Sequence, residues 1–352
     1  MDKFPLSSFT LGLAIIGGLV LAVLVAWNTW NSRRNTPRQA QPDNAVPASA
    51  PGDPLAERQE PAFDTDTDTD SVPLPLPERK PGLDALIDVI APIVLDGPAS
   101  GEAALAAMPT TRRAGSKPFA VEGLNVASGE WELPHAGQRY NAFQAGVQMA
   151  NRTGALNEIE YSEFVMKAQA FADAVNGSPE FPEMLHEVAR ARELDQFAGD
   201  HDAQLGFTLR ARNAAWSPGY VQQNAARLGF VSGVIPGRMV LPAQMQGLPP
   251  VLGLTFDTQA AMAEDPTLSA IREVTLSLDV PQVDRSERPF VRMRESAIAL
   301  AAAMDGLITD DNGQVIRLES LDGIGADLEQ LYDTLDGRDL SAGSVLARRL
   351  FS

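Results

Sequence analysis

FVMKAQAFADAVNG (residues 164–177) and MRESAIALAAAMDG (residues 293–306) align without a gap. Ala168, Ala170, Ala172, Ala174 and Gly177 fall on Ala297, Ala299, Ala301, Ala303 and Gly306. Each stretch reads as a helix stopped by glycine, the residue that most readily takes the left-handed conformation at a helix end. Alanine-rich helices resemble one another by chance, so the weight falls on what surrounds them.

The surroundings repeat. In the first half, LIDVIAPIVL (86–95) reads as a strand and SGEAALAAM as a short helix capped by Ser100. KPFAVEGLN and YNAFQAGVQMA read as strands, then SEFVMKAQAFADAVNG (162–177) as a helix capped by Ser162, with Phe164, Ala168, Phe171 and Val175 on one face. EMLHEVARARELDQFAG is a second helix, with Leu185, Val188, Leu194 and Phe197 as candidate core positions. In the second half, AQLGFTLRAR (203–212) is a strand, and Ser217-Pro218 opens a helix running to Gly229. FVSGVIPGRMVL, PPVLGLTFD and REVTLSLDVP are strands, the last alternating through Val274, Leu276, Leu278 and Val280. PFVRMRESAIALAAAMDG is the helix that matches. Short strands follow in GLITDDNG and QVIRLES, then the helix IGADLEQLYDTL. The order predicts two divergent copies of one α+β unit, 81–199 and 200–352, each an antiparallel sheet with helices on one face. Such a sheet leaves its other face free.

Upstream lies a different kind of chain. Residues 9–27 are apolar and uncharged, and at 1.5 Å per residue they cross a hydrocarbon core of about 30 Å. Arg33, Arg34 and Arg38 follow the stretch, whereas only Lys3 precedes it, which places the C-terminal side in the cytoplasm. Trp27 and Trp30 suit the headgroup belt. The competing reading is a cleaved export signal. WNTW is a poor cleavage site, and the basic front such a signal needs is weak. Residues 28–80 are rich in Pro, Ala and charge and include DTDTDTD (64–70). They read as a disordered spacer, because they hold few large apolar residues, and the Asp-Thr run lacks the glycine and terminal glutamate of a calcium loop.

Composition narrows the function. There is no cysteine, which excludes disulfides and thiolate chemistry, and the three histidines show no ligand spacing. A net charge of −18 argues against a nucleic-acid partner. Phosphate-binding glycine motifs, the G-x-S-x-G elbow and H-E-x-x-H are absent from the sequence. RRAGSK (112–117) reads as a solvated basic loop, and Asp310-Asp311 as a turn. Arg348 and Arg349 read as complements to a last helix dipole. No cofactor, metal or small-molecule substrate is expected; the sequence argues for a binding module and against an enzyme.

The anchor LGLAIIGGLVLAVLVAWNTWNSRR, the Pro-rich spacer and the terminal domain together resemble the ZipA family of bacterial cell-division proteins. The match is carried by LGFVSG, PPVLGLTFD, REVTLSLDVP, FVRMRESAIALAAAMDGLITDDNGQ and GADLEQLYDTL, in the family's order across roughly 203–335. The resemblance implies a single-pass inner-membrane protein, N-terminus periplasmic, that binds the C-terminal tail of FtsZ on the free sheet face and tethers the division ring. Carried over strand by strand, it implies partner-binding positions Ala203 and Leu205 on the first strand, Ile235, Gly237 and Met239 on the second, Thr255 and Asp257 on the third, and Thr275 and Ser277 on the fourth. The outward row Thr275, Ser277, Asp279 is more polar than the family's: either the groove has moved toward Leu205, Phe207, Ile235 and Met239, or the tail is held differently, or it is held by the first copy. Two other classes remain open: a membrane-anchored scaffold for a different envelope protein, and an exported periplasmic binding protein.

Overall fold

The computed structural model describes residues 37–40, 82–245, 247–265, 269–310 and 312–352. The expected span at 9–27, with Trp27, Trp30, Arg33 and Arg34, lies outside the described residues, as does most of the expected linker at 28–80. Among the described residues no helix is long and apolar enough to cross a membrane.

The described chain is α+β, built on antiparallel sheets. Its first half runs β1 (Asp88–Ser100), α1 (Gly101–Ala107), β2 (Arg113–Ala114), β3 (Lys117–Asn125), β4 (Trp131–Glu132) and β5 (Arg139–Gln148). The ribbon of β6 (Ala150–Asn151) and β7 (Gly154–Ala155) follows, then α2 (Glu158–Ala174), β8 (Gly177–Pro179) and α3 (Met184–His201). Strand order is β2-β3-β5-β1-β8, with β4 paired to β3.

The second half runs β9 (Gln204–Ala211), α4 (Pro218–Ala226), β10 (Val231–Ser232), β11 (Arg238–Leu241) and β12 (Leu252–Thr255). After the short α5 (Thr258–Ala261) come β13 (Glu273–Asp279), α6 (Pro289–Met304), β14 (Gly306–Thr309), α7 (Leu318–Asp336) and α8 (Val345–Leu350). Strand order is β10-β11-β12-β13-β9-β14. In both sheets the opening strand, β1 or β9, lies between the strand that precedes the long helix and the strand that follows it.

The two long helices agree in detail. Phe164, Ala168, Phe171 and Val175 are buried, and so are Met293, Ala297, Leu300 and Met304, the residues aligned with them. Phe171 meets Phe143 edge-on with centroids 5.1 Å apart, while Phe290 on α6 meets Phe207 at 6.5 Å. Both helices end on a non-glycine residue in the left-handed region, Asn176 (φ 54°) and Asp305 (φ 55°). The next residue starts the new strand: Gly177 pairs with Leu95 on β1 and Gly306 with Ala211 on β9. Asn and Asp tolerate this conformation better than other L residues because their short side chains hydrogen-bond locally.

Several local expectations need correction. α2 begins before Ser162: Asn157 accepts from the backbone of Ile159 and Glu160, and the Glu160 carboxylate accepts from Asn157 N–H, a complete capping box. Ser162 instead donates to the Glu158 carbonyl inside the helix. Leu185 on α3 is exposed, although Val188, Leu194 and Phe197 are buried. QVIRLES makes only an isolated bridge, Thr309 to Val315. Lys117, placed in a solvated loop by the sequence, is 1% exposed and donates to Asn151 Oδ1 at 2.8 Å, tying β3 to the β6–β7 ribbon. Pro37–Ala40, inside the expected linker, lies against Ala215–Ser217.

The halves are joined by specific polar contacts. Arg349, at the end of α8, reaches the buried Asp88 at the start of β1, with Nη2 donating to Oδ1 at 2.5 Å. Arg152, in the turn between β6 and β7, bridges Asp202 and Asp279.

Candidate functional site

Strand parity decides which residues of the second sheet face the helices. On β13, Val274, Leu276 and Leu278 are buried, and Glu273, Thr275, Ser277 and Asp279 point the other way. The pairing Leu276 to Phe207 and Val274 to Leu209 puts the β9 apolar row on the same inner face. On β11, Met239 pairs with the buried Leu254, while Val240 pairs with Gly253. The outer face is therefore Gln204, Gly206 and Thr208 on β9, Thr275 and Ser277 on β13, Gly253 and Thr255 on β12, and Arg238 and Val240 on β11.

Against this geometry the expected partner residues divide. Phe207 (3% exposed) and Met239 (2%) are core residues beneath the helices, and the expectation that they line a groove is corrected. Leu205 shares their face and packs partly buried against the core. The physical reason is that large apolar side chains take the face covered by helices, and one residue of register inverts the face. Thr255 and Ser277 do lie on the outer face. Ile235, at 52% exposure, sits in the turn between β10 and β11 rather than on a strand.

A groove of about 690 Å³ lies over this outer face. Its floor is Val240, Gly253 and Ser277; Val234 and Ile235 stand at one end, Arg152 and Phe351 at the other. The floor is shallow because its side chains are small, and a Cβ built at Gly253 meets only Ser277 Oγ, at 2.7 Å. The apolar end is continued by Val231, which pairs with Val240 and is 49% exposed. At the polar end, Asp202 and Asp279 hold the Arg152 guanidinium charged. None of the three histidines lines the groove, and Ser277 Oγ donates weakly to the Gly253 carbonyl at 3.4 Å. Such a surface has the chemistry to hold a short chain with an apolar anchor. Val240, Gly253 and Arg152 were missed in the sequence: Val240 because RMVL is apolar on both parities, Gly253 because it has no side chain, Arg152 because it comes from the other half.

The first sheet shows what such a floor can hold. Counting back from the residues that pair with Gly177 and Gly306, Ile90 on β1 corresponds to Gly206 on β9. Ile90 pairs with Gly146, which pairs with Ala120; Gly206 pairs with Ser277, which pairs with Gly253. On the first sheet this place is filled by the chain itself. Leu83 covers Gly146, and its N–H donates to Glu122 Oε1 at 3.0 Å. Glu122 is held in turn by Gln144 Nε2 at 2.8 Å. Along this ladder the second-sheet counterpart of Gly146 is Ser277 and that of Ala120 is Gly253; both line the groove, and among the described residues a Cβ at Gly253 meets no side chain but that of Ser277.

A scan against protein-family models finds no match for the chain. A search of the curated proteins finds none.

Proposed function

We propose that this protein is a single-pass membrane tether whose second α+β unit holds a short peptide on its outer sheet face. The two units are read as divergent copies, 81–199 and 200–352, of one ancestral unit. By the resemblance in sequence, the peptide is the C-terminal tail of FtsZ, the anchor is the apolar stretch at 9–27, and the folded units lie in the cytoplasm. One observation carries the peptide-binding reading: in the first sheet the chain's own Leu83 packs over Gly146, and the matching place in the second sheet has a floor of small residues under a groove. An apolar side chain from a partner would sit there as Leu83 does, flanked by Val240 and Ile235. Peptide sites of this kind rest on a few anchors, so truncating one removes a large part of the affinity.

The test is capture of FtsZ, with and without its tail, by the full-length chain in lipid nanodiscs. The tail-containing form is expected to bind, and Val240→Asp to weaken binding at least about tenfold. Equal capture of tailless FtsZ contradicts the peptide reading, and no capture of either form contradicts the choice of partner.

A further inference from the structure

Residues Ala215–Ser217 form a short extended edge with two sides. On one side Trp216 exchanges both backbone bonds with Ile271, each at 2.8 Å. The other side presents Ala215 C=O and Ser217 N–H. Both are taken by Arg38, whose N–H donates to Ala215 O at 2.7 Å and whose carbonyl accepts from Ser217 N–H at 2.9 Å. Arg38 thus adds a parallel strand residue to this edge, the hydrogen-bonding mode of strand addition.

The edge is rigid. Trp216 is fully buried, and its Nε1 donates to the Met304 carbonyl at 2.7 Å, fixing the edge to the end of α6. Ser217 caps α4 through its hydroxyl, which accepts from Tyr220 N–H. The side chain of Arg38 is read separately. Asp305 stands at the left-handed residue closing α6, and its Oδ2 accepts from Arg38 Nη2 at 2.9 Å and from Asn213 Nδ2 at 3.1 Å. Pro37 is buried, and Ala40 approaches Gly219 closely enough that a Cβ there would lie 3.8 Å from its own.

We propose that the Ala215–Ser217 edge with Asp305 is a docking site for an arginine carried on extended chain, and that its occupant is the protein's own Pro37–Ala40. The backbone bonds select an extended segment, and the aspartate selects the cation at one position. A contact of two backbone bonds and one partly exposed ion pair is weak between separate molecules. Within one chain an effective concentration on the order of mM holds such a contact closed. The strap brings the start of the 28–80 stretch onto the second unit. Arg38 follows Trp27 by only eleven residues. Where the anchor reading holds, the second unit is therefore kept beside the bilayer; the strap itself does not depend on that reading.

The chain has no cysteine, which makes the test clean. Two cysteines at Ala40→Cys and Gly219→Cys in the full-length protein would have Cβ atoms at the mean disulfide separation of about 3.8 Å. Mild oxidation is expected to join them within one chain, so that protease cutting between residues 41 and 81 leaves the pieces linked until reductant is added. The comparison pair is Ala40→Cys with Gly97→Cys, where Gly97 has open space around it. The 40–219 pair is expected to form at least about tenfold faster, and Arg38→Glu to remove that advantage. Equal rates for the two pairs overturn the strap. Disulfide-linked dimers in place of the internal bond show that the occupant is a second copy and overturn docking within the chain. An unchanged rate with Arg38→Glu overturns the arginine–aspartate recognition.

Discussion

Leu83 packs directly onto Gly146: a Cβ at that glycine would lie 2.4 Å from Leu83 Cδ2 and 2.8 Å from Cδ1. The glycine makes room for a leucine on the outer face of a sheet whose inner face already carries the core. Gly146→Ala is expected to displace Leu83 at a cost of about 1–3 kcal/mol, the usual range for overpacking. Urea denaturation measures the loss. Hydrogen exchange at the Leu83 N–H, now bonded to Glu122, should speed up in the variant, and unchanged protection would show that the leucine keeps its place.

Met239 and Ile235 should behave oppositely, although both were expected from the sequence to touch a partner. Met239→Ala removes a core side chain that is 2% exposed and should cost about 2–5 kcal/mol of stability. Phe207→Ala should cost about 3–5 kcal/mol for the same reason. Ile235 is half exposed in a turn, and Ile235→Ala should fall within about 0.5 kcal/mol of the parent. Loss of binding in Met239→Ala would therefore report unfolding, and only the Ile235 and Val240 variants test contact.

Asp88 and Arg349 form a largely buried pair between the first strand and the last helix. Burial pushes the Asp88 carboxyl above its usual value, against the pull of Arg349. Its contribution to stability is then fully present below the unfolded aspartate value and is lost as pH rises through the raised folded one. Asp88→Asn should flatten that part of the profile of urea midpoint against pH. Arg349→Ala leaves the carboxylate buried and unpaired, and should cost about 3–5 kcal/mol at neutral pH. A neutral-pH cost for Arg349→Ala no larger than that for Asp88→Asn would show that the pair does not hold the two halves together.

The parts of this fold that were legible are those with a strong period. Val274, Leu276 and Leu278 gave β13 and its inner face at once, and Ser100 and Ser217 marked helix starts that the structure keeps. The start of α2 was misread because the apolar run begins at Phe164, whereas the capping pair Asn157 and Glu160 lies a turn and more upstream in polar sequence. The groove was half legible. Ile235 was expected on a strand and lies in the turn before β11, while Thr255 and Ser277 do lie on the outer face. Met239 and Val240 could not be told apart, since a four-residue strand with apolar groups at both parities carries no face signal. Neither the Arg38 strap nor the Leu83 plug leaves a pattern in sequence. Each depends on a partner, Asp305 or Gly146, far away along the chain.

The most direct measurement uses an FtsZ tail peptide carrying a photoreactive group at an apolar position, irradiated with the full-length protein and mapped by mass spectrometry. Adducts are expected on the outer face and rim of the second sheet, at Val231, Ile235 and Val240 and near Ser277, and are expected to vanish with Val240→Asp. Adducts on the first unit, or a pattern unchanged by Val240→Asp, would contradict a peptide held in this groove.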